Sequence, residues 1–337
     1  MRRNRLHARV RGAVKAAVVT LTGVAAGKAC SLVLLCLLAS MASGCRSPRP
    51  DVDAARPDPY YQRMITSGHA AFERGDIGRA AELYENAWTR AQVMDRPVAI
   101  AASAYNLALC RIALGDLYEG RALLQTSQHA SQQAGRDDSD ARIAEAEVTR
   151  RMGDSKTAWD LTDSLLAVLE GRRARSQRVQ LHTVRALIAL EEDDVSTAQE
   201  EWEQAENDLR RDTPARLQAR AAEVQGRIRQ ARGELLNAAG AFDRETELYR
   251  NAGRFPDMAR AMIRAADAYH SAGQDVDAVN RYYRAARHFA AEDQPVEALR
   301  QIEKSLPLLE QINDPALEKR VGRLVEQLSE RARGTEK

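Results

Sequence analysis

The residues of this sequence that could carry out the most varied chemistry are its four cysteines and six histidines. Thiols form disulfides, bind metals or accept acyl groups, and imidazoles bind metals or transfer protons. Cys45 follows an apolar run at 29–41, while Cys30 and Cys36 lie inside that run. Cys110 lies in an apolar helical pattern, which favours a small buried residue over a reactive thiol. Cys45 is therefore the candidate for covalent modification.

The histidines do not form a metal-ligand pattern. Five follow the apolar run, and none has a second ligand at metal-binding spacing. They are His69, His129, His182, His270 and His288. The sequence also lacks a nucleophile elbow, a P-loop, an HExxH motif and a paired CxxC motif. We therefore expect solvated or groove-lining histidines and a protein that is not an enzyme, with no metal and no cofactor.

The first 44 residues have the composition of an export signal. They carry seven basic residues and no acidic one, followed by an apolar run too short to span a bilayer comfortably. The segment Ala42-Ser43-Gly44-Cys45 resembles a bacterial lipobox, although Ala42 stands where that family prefers leucine. The resemblance implies a signal peptide at 1–44, a fatty-acylated Cys45 and, with Arg46 next, an outer membrane lipoprotein facing the periplasm. The alternative is an ordinary secretory signal that leaves a soluble periplasmic or secreted protein.

Residues 45–59 are predicted to form an extended, lipid-anchored linker, because they contain four prolines. Beyond residue 44 the chain has 43 basic residues (50 less the seven of the leader) against 48 acidic ones. The resulting net charge of −5 argues against nucleic acid as a partner. With Cys30 and Cys36 removed and Cys45 acylated, Cys110 has no disulfide partner.

A helix–turn–helix pattern spans Tyr61 to Thr89, with a turn at Gly75-Asp76. The turn pair recurs every 38 to 40 residues, and its first residue is suited to the left-handed conformation that ends a helix. The pairs begin at Gly75, Gly115, Gly153, Asp193, Gly233, Gly273 and Asn313. Five residues later comes a small residue in the first six repeats, at Ala80, Gly120, Ala158, Ala198, Ala238 and Ala278. Four further on comes a larger one, such as Tyr84 or Phe242.

This pattern resembles the tetratricopeptide repeat (TPR) family, in a variant with long helices and a period of about 40 residues. The resemblance implies an all-α fold, a right-handed solenoid of about seven TPR-like hairpins over 60–333, with a polar tail at 334–337. Prolines near the start of four first helices, at Pro97, Pro214, Pro256 and Pro295, support the same frame. Asp95, Thr213 and Asp293 precede three of these prolines and are predicted to be N-caps.

In the TPR family the first helix of each repeat lines the concave groove. The resemblance therefore implies a partner-binding groove formed by Ile65, His69, Phe72, Tyr105, Arg150, Arg151, Thr183, Arg220, Arg227, Arg260 and His270. Leu109, Ile112 and Leu187 fall on the same helices but are better interpreted as core. A groove that is apolar at one end and rich in arginine at the other suits a peptide with an acidic portion.

These observations predict a non-enzymatic scaffold or adaptor, attached to the cell envelope through its lipid and binding a protein or peptide partner. Two alternatives stay open. One is a periplasmic sensor that binds a peptide or small ligand in the same groove. The other is an accessory of a cell-wall enzyme, which the lack of a catalytic set disfavours.

Overall fold

A computed structural model describes residues 58–334 of the chain, with side chains to residue 330. The predicted leader, Cys45 and residues 45–57 of the predicted linker lie outside this range. The described part forms fourteen α-helices in consecutive hairpins, which together make a TPR-like solenoid of about seven repeats. The helices are α1 Pro59–Glu73, α2 Ile77–Val93, α3 Pro97–Leu114, α4 Leu117–Gln133, α5 Ser139–Arg151, α6 Ser155–Leu166, α7 Arg175–Glu191, α8 Val195–Asp208, α9 Ala215–Ala231, α10 Leu235–Asn251, α11 Phe255–Ser271, α12 Asp275–Ala291, α13 Pro295–Ile312 and α14 Pro315–Gly334.

The turn inside each hairpin has the backbone that the sequence predicts. The first residue of each of the seven turn pairs has positive φ, from 51° at Asn313 to 97° at Gly115. The acidic residue that follows then caps the second helix in several repeats. The side chain of Asp76 accepts from the backbone N–H of Arg79 at 3.2 Å, and Asp154 accepts from Thr157 at 3.1 Å. A left-handed stop followed by an acidic cap thus sets the period of the chain.

The N-caps predicted between repeats are wrong by one residue. The caps are Arg96, Pro214 and Gln294, and none of them makes a side-chain capping bond. Asp95 and Asp293 instead adopt left-handed backbone, with φ of 50° and 55°. Aspartate tolerates this conformation better than most residues. These two residues therefore end the preceding helix rather than start the next one.

Packing inside the hairpins depends on residues without bulky side chains. The five predicted small alanines of the second helices are 0% exposed. Gly68 of α1 lies under the ring of Tyr84, and Gly226 of α9 lies under the ring of Phe242. A Cβ at Gly226 would come within 2.4 Å of that ring. These glycines let an aromatic side chain of the second helix lie directly on the backbone of the first.

The described chain divides into two compact units, and α8 is shared between them. The N-terminal half comprises residues 58–192 with 203–211, and the C-terminal half comprises 193–202 with 212–334. The core of the N-terminal half contains Leu107, Cys110 and Leu124. Within it, α3 is long and apolar enough to cross a membrane by length and composition. Since half of its residues are buried in this core, it is a core helix of the fold.

We expect Gly226→Ala to lower the free energy of unfolding by about 1–3 kcal/mol, because the new methyl group overpacks the ring of Phe242. The measurement is urea unfolding followed by circular dichroism. Gly240→Ala is the matched control, since Gly240 lies inside α10 with no atom within 4 Å of an added Cβ. It should be neutral or stabilising by up to about 1 kcal/mol. Equal effects of the two changes would contradict the packing described.

Candidate partner-binding surface

The apolar residues predicted for the groove lie on the first helices of the N-terminal half. Ile65, Phe72 and Tyr105 are half-buried and pack against its hydrophobic core. His69 is exposed, and its Nδ1 lies 2.9 Å from the hydroxyl of Tyr84. Ile65, Phe72 and Tyr105 therefore keep some accessible surface while they support the core, and His69 is accessible. Their role as partner contacts stays a prediction.

Four other residues of the first helices are buried. Leu109, Ile112 and Leu187 belong to the core, which is the interpretation that the sequence favoured. Thr183 is buried as well, and its hydroxyl donates to the carbonyl of Val179 at 2.6 Å. Thr183 therefore has little surface to offer a partner in this conformation.

Arg150 holds two first helices together. Its Nη2 donates to Oε1 of Glu147 at 2.8 Å on the same helix, and its Nη1 donates to Glu191 at the end of α7. The Arg150 side chain is only 10% exposed. Arg151, the next residue, is half-buried. Arg150 thus bridges α5 and α7, a structural role that its predicted place in the groove did not include.

In the C-terminal half, two predicted arginines share one buried carboxylate. Nη1 of Arg220 donates to Oε2 of Glu223 at 2.9 Å, and Nη2 of Arg227 donates to Oε1 of Glu223 at 2.7 Å. All three residues lie on α9, one turn apart. Glu223 is 3% exposed at its side chain, whereas Arg227 is 43% exposed. The carboxylate therefore lies beneath Arg227, whose side chain reaches the surface, whereas the side chain of Arg220 is only 15% exposed.

A second buried carboxylate lies beside this one. Glu245 of α10 is fully buried and accepts hydrogen bonds from Nε and Nη2 of Arg264 on α11. Burial raises the pKa of Glu245, the charge of Arg264 lowers it, and the charge of Glu223 raises it again, so the pKa lies above its ordinary value. Burial also raises the pKa of Glu223. The surrounding guanidinium groups of Arg220, Arg264 and Arg227 outweigh that effect, and its pKa lies below the ordinary value.

The same arrangement recurs on α11. Asp257 is buried, and it pairs with both Arg254 and Arg260. Arg260, a predicted groove residue, thus has its guanidinium held by a carboxylate one turn away. His270 is exposed near the end of α11, with its Nδ1 2.8 Å from Oδ1 of Asp275.

The acidic residues beneath the arginines, and Arg264, are not among the site residues predicted from the sequence. Glu223 stands three residues after Arg220, and Asp257 stands three before Arg260, which is the spacing of side chains that meet on one helix face. That spacing is a signal that sequence reasoning could have used. No comparable signal links Glu245 to Arg264, because they lie on different helices.

Groups suited to metal or thiol chemistry are not gathered in the described residues. Within residues 58–330, no group of three or more His, Cys, Asp or Glu side chains has the geometry to hold a metal ion. Cys110 is buried, and burial raises the pKa of its thiol to about 12 although the nearby Arg111 lowers it. This confirms the expectation that Cys110 is a small buried residue, since a reactive cysteine needs an accessible thiolate.

No protein-family model and no curated protein matches the chain. Several solved structures share its fold. The Rap protein complexed with Competence and Sporulation Factor is 11% identical, with 77% of this chain and 76% of that chain covered and a TM-score of 0.54. The apo quorum sensor NprR from B. thuringiensis is 14% identical, with coverage of 74% and 76% and a TM-score of 0.51.

A Signal Transduction ATPase with Numerous Domains from Pyrococcus horikoshii, which has a tetratricopeptide repeat sensor, is 10% identical with a TM-score of 0.53. The match covers 76% of this chain but only 41% of that protein. At these identities the likenesses show the fold alone. They define the chain as a TPR-like helical repeat protein.

The buried carboxyl of Glu245 should make stability depend on pH. An acid whose pKa is raised in the folded state binds more protons there than in the unfolded state, so the free energy of unfolding falls as pH rises above the ordinary glutamate pKa of about 4.3. We expect Glu245→Gln to remove this fall, which is at most about 1.4 kcal/mol per pH unit. Urea unfolding at a series of pH values measures it.

Glu247→Gln is the control, because Glu247 lies on the same helix with an exposed side chain paired to Arg250. This variant should keep the pH dependence of the wild type. Parallel curves for the wild type and Glu245→Gln would contradict the assignment.

Proposed function

We propose that this protein is a non-enzymatic scaffold that binds a partner protein along the first helices of its C-terminal half. The observation that carries the proposal is the pair of buried carboxylates, Glu223 and Glu245, which hold arginine side chains of graded exposure. The exposed fraction is 15% for Arg220, 24% for Arg264 and 43% for Arg227. Arginine side chains held in this way lose less conformational entropy when they bind a carboxylate or another anion. A TPR-like fold supplies the rigid helices that such a surface requires.

We further propose that the scaffold is attached to the bacterial cell envelope through a lipid on Cys45, as an outer membrane lipoprotein facing the periplasm. The support is the basic leader, the apolar run and the Ala42-Ser43-Gly44-Cys45 sequence. Residues 46–57 would then link the anchor to the first helix. In this arrangement the partner would be a protein of the same envelope complex.

A second candidate is a sensor that binds a free peptide on the same surface. The Rap structure with a related fold is described as a complex with Competence and Sporulation Factor. The two functions differ in the size of the bound species, so one experiment separates them.

Photo-crosslinking in the native host tests the scaffold. A photoreactive amino acid in place of Arg227 should yield a discrete adduct larger than the protein by the mass of a partner protein. The same amino acid in place of Arg250 is the control. The two arginine side chains are 43% and 41% exposed, and each pairs with a glutamate on its own helix. An adduct enlarged by only a few residues would support the sensor, and identical patterns from both positions would count against a binding surface at Arg227.

The lipid anchor is tested by Cys45→Ala in the full-length protein. We expect the variant to lose incorporation of an alkyne fatty acid and to leave the membrane fraction or remain an uncleaved precursor. Cys36→Ala changes a cysteine inside the leader and should keep both acylation and membrane attachment. Retained labelling in Cys45→Ala would reject the anchor.

A further inference from the structure

Arginine occupies the same position in the last three repeats. Arg220, Arg260 and Arg300 are 40 residues apart, and they lie on α9, α11 and α13, the first helices of those repeats. Each stands 13 residues before the first residue of the turn pair in its repeat, as Arg220 stands before Gly233. The repeat therefore places one guanidinium group on each of three successive first helices. We call this set the arginine ladder.

Each arginine of the ladder pairs with a carboxylate three residues away on its own helix. Arg220 donates to Glu223 at 2.9 Å, Arg260 pairs with Asp257, and Arg300 donates to Glu297 at 2.9 Å. Such i,i+3 pairs fix the direction of a long side chain along the helix surface. The arginine ladder is thus ordered before any partner arrives.

Three further cations flank the arginine ladder. Arg227 shares Glu223 with Arg220, Arg264 pairs with Glu245, and Lys304 of α13 donates to Asp267 of α11 at 3.0 Å. Lys304 thus joins the first helices of the last two repeats.

In most of these pairs the carboxylate is deeper than the cation. The side chain of Glu297 is 35% exposed against 60% for Arg300, and Glu223, Glu245 and Asp257 are all buried. Negative charge therefore lies beneath Arg227 and Arg300, whose side chains are 43% and 60% exposed. The side chains of Arg220 and Arg260 are only 15% and 17% exposed. Because Coulomb interaction falls with distance and is screened by water, an approaching partner meets the cations first. The charge arrangement favours an anionic group.

Guanidinium groups favour carboxylates in particular. Each has five N–H donors in a planar fork that matches the two oxygens of a carboxylate. We propose that the arginine ladder, with Arg227, Arg264 and Lys304 beside it, docks an acidic segment of the partner protein. This inference rests on the proposed function and adds the chemistry of the partner.

The test is selection of a random twelve-residue peptide library on the full-length protein in detergent micelles. We expect enriched peptides to be rich in aspartate and glutamate. One of them, synthesised with a fluorophore, is then titrated by anisotropy against the wild type and two variants, Arg300→Glu and Arg323→Glu. Arg323 is an exposed arginine on α14 in the same repeat, so both variants change the net charge equally.

We expect Arg300→Glu to weaken binding at least about tenfold, which is the loss of one charge-assisted hydrogen bond. Arg323→Glu should stay within about twofold of the wild type. The side chain of Arg300 is 60% exposed and Glu297 is not buried, so its reversal leaves the fold intact, as a thermal melt by circular dichroism would verify. Binding should also weaken as salt is raised.

Equal losses for both variants would show a general charge effect and overturn the inference. It would also fall if the selected peptides lacked acidic residues, or if heparin or anionic vesicles bound through Arg300 while no acidic peptide did. Failure to enrich any peptide overturns it too. Crosslinking at the Arg227 position tests the proposed scaffold separately, because adduct formation does not require that the partner be acidic.

Discussion

In the described part of the chain, helices pack closely where one of them offers an alanine or a glycine to the next. A hairpin of two short amphipathic helices cannot bury both of its apolar faces, so its stability comes from the neighbours against which it stacks. That stacking requires close approach, which Ala80, Ala158, Ala238 and Ala278 provide with no exposed surface. Where an aromatic ring must fit, as with Tyr84 and Phe242, the opposing helix carries a glycine. The small residues must therefore recur at the period of the repeat, since each repeat has to return one of them to the same place.

The buried carboxylates of the C-terminal half are not explained by stability alone. Taking a carboxylate out of water carries a large desolvation cost, and an apolar residue of similar size would often serve stability as well. Once such a carboxylate is present, removing its partner typically costs about 3–5 kcal/mol. Glu223, Glu245 and Asp257 therefore bind their arginines firmly. What they contribute beyond packing is a fixed position for each guanidinium group.

Much of the fold could be predicted from the sequence, because its determinants are local. The left-handed conformation at Gly75 and Asn313 and the cap at Asp76 depend on residues within one turn. Asp95 was misread because the same residue type both caps helices and tolerates left-handed backbone. The contacts of a predicted groove residue, in contrast, often depend on residues far away in the sequence. Arg150 pairs with Glu191, 41 residues away, and Thr183 turns its hydroxyl to its own helix, so neither could be placed from the pattern of one repeat.

The arginines of the first helices are held in different ways, and this difference suggests how specificity arises. In the N-terminal half, Arg150 donates hydrogen bonds to Glu147 and Glu191 and so bridges α5 and α7. In the C-terminal half, Arg227 and Arg300 are anchored on their own helices and keep much of their surface in water. A guanidinium group fixed in this way is selective, because a partner must match its direction as well as its charge. Mobile surface lysines would attract any anion. Arginines ordered on successive repeats instead favour a segment whose carboxylates follow the repeat of the solenoid, so the interaction that orders each arginine also sets what the surface recognises.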